Sequence, residues 1–226
     1  MWNLHAAFPL SDADHYQSRF QQLEKQIRLA LELGTLRHKT DVMLLADERQ
    51  YRKYLQTYFP GAPFRPALFI KTDRTSMVFA FRSKNMWTDL RHEATHAVLH
   101  ATHPFVPLWL DEGLAEYFEL TRDIHLVAKD RWPAIKKDLD KNRILPLTEL
   151  ELFVSLSDMD EREYLYSWAW VFFLLHHSRQ SRSHLVHYLR LWQAGRVPVP
   201  MSESGSPLTD LEQFVRFWRD RGSHLN

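Results

Sequence analysis

Every strand-like segment of this 226-residue chain falls before residue 85, and every apolar run after it recurs at helical spacing. That asymmetry predicts an α+β chain. A small mixed sheet with flanking helices should occupy residues 1–84, and a mainly helical part should occupy 85–226. We read the two as parts of one domain, with a cleft between them as the place to look for chemistry. Phe20, Leu23, Ile27 and Leu31 mark an amphipathic helix, with Ser11 or Asp12 as its N-cap and Gly34 as its stop. Val42–Leu45 reads as a buried strand, followed by an Asp47-capped helix through Tyr58 that ends before Pro60-Gly61. Ala67–Ile70 and Met77–Phe81 read as two short strands around the turn-prone Lys71–Arg74, and the strand near Met77–Phe81 is expected to lie at an edge, open to an extended peptide. Helices are then expected at 88–102, 110–120, 123–140, 147–155, 160–178, 181–194 and 208–221, with Pro133 able only to start or kink one.

Composition narrows the chemistry. The chain has no cysteine, so disulfide frameworks, thiolate metal sites and cysteine nucleophiles are excluded, and any metal must be held by His and carboxylate. Thirteen histidines are available for that. Twenty-nine Lys plus Arg nearly balance 28 Asp plus Glu, so no basic field prompts a nucleic-acid partner. The N-terminal residues lack a basic segment followed by an apolar one, and no stretch reaches the apolar length of a membrane span, so the chain is expected to be soluble, in a compartment left open.

The chemistry-bearing residues begin at His92-Glu93-Ala94-Thr95-His96, which fits the zincin pattern H-E-x-x-H. Helical residues four apart lie about 40° apart around the axis, so His92 and His96 share a side where one cation reaches both. Glu93, beside the first His, is placed to take a proton from a metal-bound water. Leu90, Ala94, Ala97, Val98 and Ala101 form a narrow apolar stripe on the same helix, ended by Pro104, and Arg91 reads as a surface charge. Downstream comes Trp109-Leu110-Asp111-Glu112-Gly113-Leu114-Ala115-Glu116-Tyr117-Phe118-Glu119. Alone, Glu112, Glu116 and Glu119 read as a solvated acidic helix face. Following the motif, such a segment supplies the third ligand that a catalytic zinc requires.

Over residues 88–120 the chain resembles the gluzincin metallopeptidases, in particular the small peptidase MA-like domains that carry H-E-x-x-H and then W-L-x-E-G on a second helix. The resemblance implies a zincin-like fold and one catalytic zinc held by His92, His96 and Glu112. It further implies Glu93 as general base and a peptide or protein as substrate. Glu116 and Glu119 become candidates to accept the spare N–H of a ligating histidine and fix its tautomer. Only 15 residues separate His96 from Glu112, fewer than in the large gluzincin aminopeptidases, so the connection is tighter. Gly113 and Ala115 leave room for close helix approach. The family's Y-x-x-G/S-x-A helix, matched by Tyr164, Ser167 and Ala169, implies Tyr164 as oxyanion donor, with Tyr166 as the substitute if the register differs by two.

Other histidines take plainer readings: His100 and His103 as a polar helix end, and the pair His176-His177 as helix capping. Arg179–Arg190 reads as an amphipathic helix, not a nucleic-acid stripe. Two readings compete with hydrolysis: a zinc-containing binding domain in which the same ligands brace the fold, and an H-E-x-x-H regulator of a transcription factor, for which no DNA-binding motif is present.

Overall fold

The computed structural model describes all residues except 1, 11–12, 35, 37–38, 73–74, 121–123 and 226, and at 124–126 and 223–225 it describes the backbone. The protein is α+β: a four-stranded mixed sheet with helices, then a mainly helical C-terminal part. It divides into two compact units, Met1–Thr102 and His103–Asn226. The division falls after the helix Met86–His100, not near residue 85, because that helix packs on the sheet.

In the first unit the sheet order is β1-β2-β4-β3, formed by β1 (Trp2–Ala6), β2 (Thr40–Leu45), β4 (Ser76–Phe81) and β3 (Ala67–Lys71). The first three are parallel and β3 runs antiparallel to β4. Val42, Leu44, Val78, Phe79 and Ala80 are buried between the flanking helices, as expected of central parallel strands. Each such residue contributes roughly 1.5–3 kcal/mol for a large side chain. The strand β1 escapes sequence reading because only Trp2 of its five residues is buried. What holds it is the ladder to β2, the stack of Trp2 on Phe20 at 5.0 Å and the bond from Trp2 Nε1 to Glu24 at 3.1 Å.

The strand expected at an edge is interior. β4 is paired on both sides, and β3 is the edge. A hairpin return places the earlier strand outermost, an outcome that residue pattern alone does not encode.

The helices of this unit follow local signals. Helix α1 (Ala13–Leu31) buries Phe20, Leu23, Ile27 and Leu31; its proposed caps Ser11 and Asp12 lie outside the described residues. It stops not at Gly34 but at Glu32, which takes φ 54° while Leu33 N–H closes back on the Arg28 carbonyl at 3.0 Å. Helix α2 (Glu48–Tyr58) is capped by Asp47, whose carboxylate accepts from Gln50 N–H at 2.8 Å.

In the second unit the central element is α7 (Glu161–His176), buried on every side from Tyr166 to Leu174. Around it lie α4 (Leu108–Phe118), α5 (Ile124–Asp140), α6 (Leu147–Leu150), α8 (Arg179–Gln193) and α9 (Leu211–Leu225). Pro133 sits inside α5, with its ring on the exposed side. The helix expected over 147–155 is a single turn, and the side chain of Glu151 at its end accepts the backbone N–H groups of Met201 at 2.6 Å and Ser202 at 3.2 Å. Two glycines set close approaches. A Cβ on Gly113 would lie 2.4 Å from the Ser167 carbonyl oxygen on α7, and one on Gly222 would lie 2.0 Å from Trp132 on α5. Among the described residues no helix is long and apolar enough to cross a membrane.

Candidate metal centre

His92, Glu93 and His96 lie on α3 (Met86–His100), whose burial extends well beyond the narrow apolar stripe. Leu90, Arg91, Glu93 through Leu99 and Met86 are all buried. Helix α3 rests on β3 and β4 and also meets α1, and with Ala94 and Ala97 fully buried its polar residues are enclosed as well. Arg91, expected on the surface, is 6% exposed and donates to Gln26 Oε1 on α1 at 3.4 Å. Thr95 is buried and returns its hydroxyl to the Arg91 carbonyl at 2.8 Å.

The imidazoles of His92 and His96 meet edge to face with ring centroids 5.0 Å apart, as the four-residue spacing requires. Glu93 is buried, and its Oε2 accepts the backbone N–H of Phe69 on β3 at 2.7 Å. One turn beyond His96, the His100 ring stacks on Phe69 at 5.8 Å, and its carbonyl accepts Lys71 Nζ at 2.5 Å. His103, read from sequence as part of a polar helix end, is 1% exposed. The hydroxyl of Tyr51 on α2 is buried, and burial pushes its pKa up, with the charges of Glu93 and Asp89 adding to the rise.

Helix α4 carries Glu112, Glu116 and Glu119 on one face, i, i+4 and i+7. They are not a solvated stripe. Glu112 is 3% exposed, a depth at which a carboxylate is paired, hydrogen-bonded or coordinated. Glu116 and Glu119 are half-buried and share Arg131 of α5, whose Nη2 lies 2.6 Å from Glu116 Oε2 and 3.7 Å from Glu119 Oε1. The Arg131 guanidinium also sits over the Trp168 ring at 4.7 Å. Sequence reasoning missed Arg131, since nothing in the pattern of α5 marks it. The small residue Gly113 is spent on α7, as described, so α4 is set against the core helix of its own unit.

His92, His96 and Glu112 form a candidate metal-binding group, each offering one ligand atom, these within 4.8 Å of one another. His92 with Glu116 and Glu119, and His96 with His100 and Asp111, form groups by the same measure. Two imidazoles and a carboxylate are the donors zinc accepts in three-ligand sites. The donor set fits the metal that the sequence pattern implies.

The two tyrosines of α7 differ. Tyr166 is fully buried and donates its hydroxyl to Asp138 at 3.2 Å, in a cluster where Asp138 also accepts Arg143 at 3.0 Å and Arg162 at 3.4 Å. Burial first, then the Asp138 charge, raises its pKa. Tyr164, in the first turn of α7, is half-buried. His176 and His177 do more than cap. His176 Nε2 pairs with the Tyr117 hydroxyl at 2.8 Å while its ring stacks on Phe172, and His177 stacks on Phe173. Burial pushes the Tyr117 phenol up to about 12. Helix α8 is amphipathic as read, burying Leu185, Val186, Tyr188 and Leu189.

No protein-family model matches the chain, and no curated protein is significantly similar to it.

Proposed function

We propose that the protein is a zinc-dependent metallopeptidase of the gluzincin kind, in which His92, His96 and Glu112 hold one catalytic zinc and Glu93 is the general base. The observation that carries the proposal is the grouping of two imidazoles and a buried carboxylate beside a further buried carboxylate that the donor set does not need. A purely structural site closes with four ligands and has no use for Glu93. When bound, the zinc supplies Lewis acidity toward oxygen. Glu93 has one oxygen engaged by Phe69 N–H, which leaves Oε1 to accept a proton and later to return it to a leaving amine. Tyr164 is the oxyanion donor in this scheme, since the hydroxyl of Tyr166 is already given to Asp138. Glu116 and Glu119, steadied by Arg131, accept the spare N–H of a ligating histidine, and their grouping with His92 supports that role. A peptide or protein is the substrate, and no nucleic-acid partner is expected from a net charge of +1.

Glu93→Gln tests the assignment. Metal content by elemental analysis should be unchanged, while cleavage of a peptide library falls at least ~100-fold, within the range a general base contributes. Undiminished cleavage in that variant overturns the role of Glu93. Stoichiometric zinc with no cleavage by the wild-type protein would instead support the alternative, a zinc-containing binding domain.

A further inference from the structure

Glu93 is fixed by a group that no sequence motif marks, the backbone amide of Phe69. β3 is the edge of the sheet, and in an antiparallel pair the N–H and C=O of alternate residues face away from the partner strand. The Phe69 N–H is one of these outward groups, because it donates to Glu93 Oε2 at 2.7 Å and not to β4. The contact is charge-assisted and short, and it holds a carboxylate that is itself buried. Strand and helix are fastened again two turns along α3, where the Phe69 ring stacks on His100 and Lys71 Nζ binds the His100 carbonyl. The strand therefore cannot slide along the helix without breaking both contacts. With Oε2 tied, rotation of the carboxylate about its terminal bond is stopped, and Oε1 keeps one direction.

Building on the proposed hydrolase activity, we infer that the Phe69 amide is a positioning group for Glu93: it aims the free oxygen of the base, at the cost of one hydrogen-bonding place on the sheet edge. A misplacement of about 1 Å in such a group costs on the order of 100-fold in rate. A merely structural amide would cost stability and leave turnover alone.

Phe69→Pro removes the N–H from a place where an edge strand tolerates proline, since the lost donor is not part of the ladder. Ala67→Pro, two residues earlier at the first position of the strand and outward-facing by the same alternation, controls for proline on this edge. In the zinc-loaded protein, Phe69→Pro should lower kcat about 10- to 100-fold, with KM within about twofold and metal content unchanged, whereas Ala67→Pro stays within about twofold in kcat. Amide hydrogen exchange gives a readout independent of turnover. The Phe69 amide should exchange at least ~10-fold more slowly than a free edge amide, lose that protection in Glu93→Ala and keep it in Glu93→Gln, whose carboxamide oxygen still accepts. The inference is overturned if Phe69 exchanges freely in the wild type, if Glu93→Ala leaves it protected, or if Phe69→Pro loses no more kcat than Ala67→Pro. It is overturned as well if KM rises while kcat holds. A protected amide in a zinc-loaded protein that cleaves no peptide would sink the hydrolase assignment, and the positioning role with it, while the Phe69–Glu93 contact stands.

Discussion

The helix carrying the two histidines and the helix carrying the acidic residues are held in place by different physics. Helix α3 is secured by area, with ten of its residues buried, and it is tethered to β3 by the Phe69 amide on Glu93 and by Lys71 Nζ on the His100 carbonyl. Helix α4 is buried over a comparable share, seven of its eleven residues, and adds two point attachments: the missing side chain of Gly113 against the Ser167 carbonyl, and the shared Arg131 across Glu116 and Glu119. Diffuse burial resists any single change, whereas a point attachment fails with it. The acidic helix is therefore the half of the candidate centre that one added methyl can displace.

The strongest way to break that contrast is Gly113→Ala. The new methyl would meet a backbone carbonyl at 2.4 Å, which cannot swing aside as a side chain would, so the loss should be about 3 kcal/mol in denaturant unfolding. On the proposed assignment, zinc should also be surrendered more readily to a chelator, because Glu112 adjoins the displaced residue. A neutral result would mean that α4 is not held by close approach at all.

Titration sharpens the same comparison at lower cost. In the second unit, Tyr117 has its pKa raised to about 12 by burial, so its contribution is complete below the unfolded value near 10 and is lost as pH rises through the folded value. Stability measured from pH 10 to 12 should fall about 2 kcal/mol further in the wild type than in Tyr117→Phe, at 1.36 kcal/mol per unit. Equal slopes in the two proteins would show that the phenol ionises as freely in the folded chain as in the unfolded one.

The first unit has its counterpart on the acid side. The hydrogen bond from His5 at 3.0 Å, with the Asn3 bond and the His5 and Lys39 charges, holds the Asp41 carboxyl below its ordinary value, against the opposing effect of burial. A depressed carboxyl contributes above its unfolded value near 3.9 and loses that contribution as pH falls through the folded one. The pair is exposed and screened, so Asp41→Asn should cost under about 0.5 kcal/mol at pH 7, shrinking toward zero in acid. A larger cost, or one that persists in acid, would show that the β1–β2 edge depends on Asp41 for more than its charge.

Much of the fold was legible because its signals are local. Asp47 caps α2 by its own side chain, and the apolar spacing of Phe20 to Leu31 defines the buried face of α1. The close pairing of His92 with His96 follows from helix pitch alone. Where the sequence misled, the deciding partner was distant in the chain. Arg91 looks like any surface arginine until α1 brings Gln26 to it, and Trp2–Ala6 has no strand pattern until β2 lies alongside. The carboxylate of Glu151, after the single turn at Leu147–Leu150, finds its backbone donors some fifty residues away.

The order of residues by itself determined which side chains could hold a metal, because the lack of cysteine and the spacing of His92, Glu93 and His96 are properties of the chain and of helix geometry. Only the tertiary structure decided that β3 and not β4 is the edge, that Phe69 presents its amide to Glu93, and that Arg131 spans Glu116 and Glu119. The reason is physical: every residue but proline carries the same backbone donor, and every arginine the same guanidinium, so which of them is put to use is written in packing and not in residue type.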